Sequence, residues 1–169
     1  MKKAISIILG FAVIFFLAGC TNETGAEKFY EFTQKHHAAE YYSALEKYTA
    51  AADSVSYRCG VDREFVFTDY TMTEKCLYTD EAFGTVKSGI ESDLYFKKVF
   101  TDCKIENRLY DIYYDTDNTG GESKKDFGFI MLNETEKEIL FCRFYDIDYD
   151  PNLTEKDEFV DFFEEEFIM

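Results

Sequence analysis

The period of the hydrophobic pattern changes several times along this chain of 169 residues, and each change marks an element. Lys2 and Lys3 precede a run from Ala4 to Phe16 that is apolar but for Ser6, short of the roughly 20 residues that cross a bilayer as a helix. Tyr30, His37, Tyr41, Leu45, Tyr48 and Ala52 then recur at helical spacing. Glu27, Lys28, Glu31, Lys35, Glu46 and Lys47 fall on the other face. That stripe predicts one long helix from about Ala26 to Asp53. Thr24 and Glu27 have the spacing of a capping box at its start.

From Val55 onward the period falls to two. Strands are predicted over Glu64 to Thr68 and Lys75 to Tyr78, with Asp69 to Thr73 turning between them. Ser88 and Glu91 make a second capping-box pattern ahead of a short helix through Ile90 and Leu94 towards Phe100; a strand over Leu94 to Phe100 is the alternative. Ile105 to Tyr114, Phe127 to Leu132 and Ile139 to Tyr149 read as a three-stranded meander, ended by Pro151, which cannot donate to a ladder. Thr154 then caps a terminal helix carrying Phe159, Phe162, Phe163 and Phe167. Glu164, Glu165 and Glu166 crowd the end of that helix, where the macrodipole disfavours negative charge. The expected fold class is α+β: a long N-terminal helix packed on a curved antiparallel sheet, with a short C-terminal helix. In architecture this is similar to the cystatin-like and NTF2-like groups, whose helix-and-sheet cone can hold a pocket. Such a likeness carries no function by itself.

The chemistry of the first segment changes the reading of the whole. A short basic region, an apolar core and small residues before a cleavage point describe an export signal. Leu17-Ala18-Gly19-Cys20 at its end resembles the lipobox of bacterial lipoproteins. The resemblance implies that residues 1–19 are a signal peptide and that Cys20 is lipidated and becomes the N-terminus. It also implies that the protein lies on the extracytoplasmic side of the cell envelope, anchored by lipid to the membrane. Each buried methylene of an acyl chain contributes about 0.8 kcal/mol, and two or more chains make the anchor stable. Residues 20–25 are then a short tether and 26–169 a single domain, of a size that buries roughly 68–70% of its unfolded surface.

Charge excludes one class of partner. The formal net charge is −16, and removal of Lys2 and Lys3 with the signal segment takes it to −18. No basic stripe is available to release counterions from a phosphate backbone, so nucleic acid is not a partner. An envelope protein or a small ligand is the expected one. The chain has 18 Phe and 13 Tyr and no Trp. Aromatic residues in alternating runs are suited to the core of a twisted sheet. Cys59, Cys76, Cys103 and Cys142 lack the C-x-x-C spacing of zinc or thioredoxin-like sites. Export permits one or two disulfides among them, and three pairings are possible; buried thiols are the alternative.

One loop invites a metal. Within Asp115 to Asp126 the residues Asp115, Asp117 and Thr119 occupy positions one, three and five of a pattern that resembles an EF-hand loop. Gly120 is at the sixth position, Ser123 at the ninth and Asp126 at the twelfth. The resemblance implies calcium held by Asp115, Asp117, Thr119 and Asp126, since a hard cation takes several oxygens at about 2.3–2.6 Å. A Gly-Gly, acid-rich hairpin connection is the alternative. Asp146, Asp148 and Asp150 alternate along the last strand as a second acidic set, expected on a solvated outer face, with Asp111 near it. His36 and His37 point about 100° apart on a helix and cannot share a metal. No nucleophile elbow, zinc-protease helix or phosphate-binding loop is present. No cofactor other than calcium is suggested. The leading function is a non-catalytic binding or interaction domain on a lipoprotein; a calcium-binding lipoprotein and an envelope hydrolase are the alternatives.

Overall fold

The computed structural model describes residues 21–64, 67–116, 126–146 and 153–167. Cys20 and the signal segment lie outside the described residues, as do Asp117, Thr119, Asp148 and Asp150. The fold is α+β, with an antiparallel sheet between two helical layers.

The single long N-terminal helix is not found. Helix α1 spans Ala26–Lys35 and α2 spans Ala39–Thr49. Between them His37 takes φ of 58°, and the Ala38 amide donates to the Thr33 carbonyl at 2.8 Å. A left-handed non-glycine residue costs on the order of 1 kcal/mol. Packing offsets that cost: the bend lets Phe29 of α1 meet Tyr42 of α2 edge-on, with ring centroids 4.8 Å apart. The buried stripe of α1 runs through Phe29 and Thr33, one residue away from the Tyr30–His37 seam that the spacing suggested.

Strand β1 (Thr21–Thr24) forms one edge of the sheet, so four of the six residues expected as a tether are paired to β2. Strands β2 (Ser54–Glu64) and β3 (Phe67–Leu77) make a long hairpin, in register from Ser54 opposite Leu77 to Glu64 opposite Phe67. Asp69 to Thr73 therefore lies within a strand and is not a turn. Its polar residues Asp69, Thr71 and Thr73 point to one face while Tyr70, Met72, Glu74 and Cys76 point to the helices. Helix α3 (Asp80–Ser92) starts well before Ser88, capped by the Thr79 hydroxyl, which accepts from the Ala82 amide at 3.2 Å. Strand β4 (Phe96–Ile105) takes the stretch for which helix and strand competed.

The meander is present as β5 (Arg108–Asp115), β6 (Asp126–Asn133) and β7 (Glu138–Tyr145). All neighbours are antiparallel, in the order β1-β2-β3-β7-β6-β5-β4. Helix α4 (Lys156–Glu166) begins at a capping box of Glu155 and Glu158, and not at Thr154. It packs on the face opposite α1, α2 and α3. Phe159, Phe162, Phe163 and Phe167 meet Phe127, Phe129 and Phe144 there. Strands β6 and β7 are thus covered on both faces, which explains the unbroken apolar runs Phe-Gly-Phe-Ile-Met-Leu and Ile-Leu-Phe-Cys in place of an alternation.

The two cores divide the cysteines: Cys59 and Cys76 lie on the helix-pair side, Cys103 and Cys142 on the α4 side. All four are buried and none is in a disulfide, contrary to the expected bridges. Burial raises the thiol pKa of Cys103 to about 11 and of Cys76 to about 12, so they pack as small apolar groups.

Candidate functional site

Helix α4 covers only part of its face, and β2 and β3 beside it carry polar residues. At that boundary a groove of about 270 Å³ opens, lined by Arg58, Lys75, Arg108, Tyr110 and Glu138, with Phe163 and Phe167 of α4 as its apolar wall. The two rings are stacked, with centroids 5.0 Å apart and planes 5° apart.

Glu138 organises the polar side. It opens β7 and is only 2% exposed. Its position follows from the β6–β7 turn, where the Asn133 carboxamide oxygen accepts from the amides of Thr135 and Glu136 at 2.9 Å each. The Tyr110 hydroxyl donates to Glu138 Oε1 at 2.7 Å, Arg108 Nη1 approaches at 3.4 Å, and Lys75 is ion-paired to Oε2. A buried carboxylate is tolerated only when its lone pairs are filled in this way. Burial, the main cause, raises the Tyr110 phenol to about 12, so it remains a donor. Tyr110 and Glu138 also raise Arg108, which stays cationic. The arrangement offers cations, the hydroxyls of Tyr110, Ser56 and Thr73, and an apolar wall. These are groups suited to binding.

A second polar group lies at the opposite end of the same face. Asp62 of β2 stands opposite Asp69 of β3, and Asp146 follows the end of β7. Burial, then a hydrogen bond to Asp146, raises Asp69 to about 8. Hydrogen-bonded carboxyls are closer than the roughly 5 Å separation that a retaining glycosidase uses. Asp146 is buried, not on a solvated face: Tyr145 turns to the helix side against Tyr70, centroids 5.9 Å apart, and Asp146 lies against Asp69 on the face that α4 covers. Asp111 is not near it: it pairs with Lys98 at 2.7 Å and stands in the ladder row of Ile139, about 24 Å along the strand from Asp146.

Of the loop residues suggested for calcium, Asp115 ends β5, buried, and Asp126 opens β6. Asp126 Oδ1 is ion-paired to Arg143 Nη2 at 2.8 Å, and that guanidinium lies over the Tyr41 ring at 5.2 Å. The flanks of the loop are strands, where an EF-hand has helices. Among the described residues no group of three His, Cys, Asp or Glu side chains is placed to hold a metal. His36 packs its ring 4.1 Å from Tyr70; burial first, then Lys35 and His37, lowers its pKa.

Sequence reasoning did not find the groove. Arg108 and Tyr110 share one face of β5, and Glu138 is a charge at the head of an apolar strand. Those signals are visible, but only the pairing of β3 with β7, of β7 with β6 and of β6 with β5 brings them to Lys75. No protein-family model, curated protein or solved structure matches this chain. Among the described residues no helix is long and apolar enough to cross a membrane.

Proposed function

We propose that the protein is an extracytoplasmic lipoprotein, anchored through lipid on Cys20, whose domain is a non-catalytic binding module that takes a small ligand in the groove beside α4. The anchor rests on Leu17-Ala18-Gly19-Cys20 and the apolar run before it. Strand β1 begins one residue after Cys20, so such an anchor would hold the sheet close to the membrane surface. The observation that carries the binding role is the groove itself, where Glu138 and its three donors fix polar groups beside an apolar wall. A concave site with a few convergent polar groups is the form small-molecule sites take.

Two measurements test the proposal. Mass spectrometry of the native protein should find residues 1–19 absent and acyl chains on Cys20. An intact Met1 with an unmodified Cys20 would end the lipoprotein reading. Amide chemical-shift mapping with mixtures of low-molecular-weight fragments should give shifts concentrated at Arg58, Lys75, Arg108, Tyr110 and Glu138. Shifts concentrated elsewhere, or none, would end the groove reading.

A further inference from the structure

We propose that the groove selects a small organic anion, a carboxylate or a phosphate with a short apolar body; the proposal rests on the groove being the ligand site. The first argument is charge. In a chain with 34 acidic and 18 basic residues, the groove is lined by three cations, Arg58, Lys75 and Arg108, against two carboxylates, Glu106 and Glu138. A site that merely sampled the surface would show the opposite balance.

The second argument is which groups still have capacity. Both oxygens of Glu138 are engaged by Tyr110, Lys75 and Arg108, so the buried carboxylate does not serve a cationic ligand. The donors are not exhausted. A guanidinium has five N–H groups in a planar fork, and the contacts of Arg108 with Glu138 run through Nη1. Its side chain is 43% exposed. Lys75 has three ammonium protons and is ion-paired to Glu138, with a third of its side chain still accessible. The Ser56 and Thr73 hydroxyls line the same floor. Glu138 thus holds two cationic heads in place, which lowers the ordering cost of gripping an anion.

The third argument is shape. Ile105, Leu140, Phe163 and Phe167 form the other side of the groove, so an inorganic ion would leave it unfilled. A volume of about 270 Å³ lies just below the ~300–1,000 Å³ range of drug-sized sites. That favours a short aliphatic chain or a single ring.

Isothermal titration calorimetry on the full chain, with hexanoate, phenyl phosphate and hexanamide as probes, tests this. Hexanoate or phenyl phosphate should saturate one site, and hexanamide, the neutral isostere of hexanoate, should bind at least tenfold more weakly. The relative strength of the two anions then separates a carboxylate site from a phosphate site. The double variant Arg58→Gln, Arg108→Gln should lose the anion preference with its thermal transition retained. If that variant does not fold, Arg108→Gln alone should weaken the preferred anion several-fold while leaving hexanamide unchanged. Hexanamide binding as tightly as hexanoate, with shifts in the groove, would overturn the anion class and leave the groove reading standing. No binding of any of the three probes would overturn the proposal, and the fragment mapping shows separately whether the groove reading falls with it.

Discussion

Replacing Glu74 with glutamine should stabilise the domain at and above neutral pH and lose that advantage in acid. Glu74 lies in the middle of β3, between Tyr57 of β2 and Phe141 of β7, and faces the helix layer with 2% of its surface exposed. Burial first, and the Glu46 carboxylate second, raises its pKa from 4.5 to about 7. A raised carboxyl pKa means that the folded state keeps a proton the unfolded chain releases. Stability from this group is therefore complete below about pH 4.5 and is lost as pH climbs through about 7. At 1.36 kcal/mol per pH unit, the interval corresponds to a penalty of up to about 3 kcal/mol once both states are ionised. Glutamine keeps the shape and removes the charge, but its amide is still buried. The expected net gain at pH 8 is about 1–3 kcal/mol, or roughly 2–10 °C in Tm for a domain of this size. Urea unfolding of both proteins at pH 4.5, 6, 7 and 8 measures it. Asp69 titrates in both proteins and cancels in the difference. A stability difference that does not change with pH would refute the reasoning, because it would show that Glu74 ionises normally in the fold.

Three further outcomes follow from the packing. Gly128→Ala places a methyl group 2.6 Å from Tyr41 Cζ, in a ring held by its hydroxyl bond to the Cys142 carbonyl at 3.0 Å. Overpacking there should cost about 1–3 kcal/mol by chemical denaturation, and an unchanged midpoint would show that the ring moves freely. Asp69→Asn removes a carboxyl raised to about 8 by burial and by Asp146; it should flatten the loss of stability between about pH 4 and 8, and an unaltered pH profile would show that Asp69 is not raised in the fold. With Cys20 acylated, Cys59, Cys76, Cys103 and Cys142 should react with a thiol reagent only after unfolding, giving four equivalents in denaturant without reductant. Fewer than four would reveal a disulfide.

Much of the fold was legible because its signals are local. Alternation marked β5, apolar runs marked β6 and β7, and the Phe spacing marked α4. The errors share a cause: a polar residue in a half-exposed strand looks like a turn residue. Asp69, Thr71 and Thr73 are on the half-buried side of β3, away from α1, α2 and α3, and they read as a loop only while the partner strands were unknown. The break at His37 was hidden for a similar reason. The local spacing of Tyr30, His37 and Tyr41 fits one helix, and only the sheet beneath, which draws Phe29 and Tyr42 together, favours two. The groove was not legible at all, since Lys75, Arg108 and Glu138 are brought together by strand order.

By itself the amino-acid sequence determined the α+β class, the acidic net charge and the likeness of Leu17-Ala18-Gly19-Cys20 to a lipobox, because period, net charge and short motifs are properties of neighbours in the chain. The tertiary structure decided that helices cover both faces of the sheet, that Asp146 is buried beside Asp69, and that Lys75, Arg108 and Tyr110 converge on Glu138. Those depend on which strands pair and in what register. Register is set by the burial of whole faces at once, a sum over distant residues that no single stretch of chain contains.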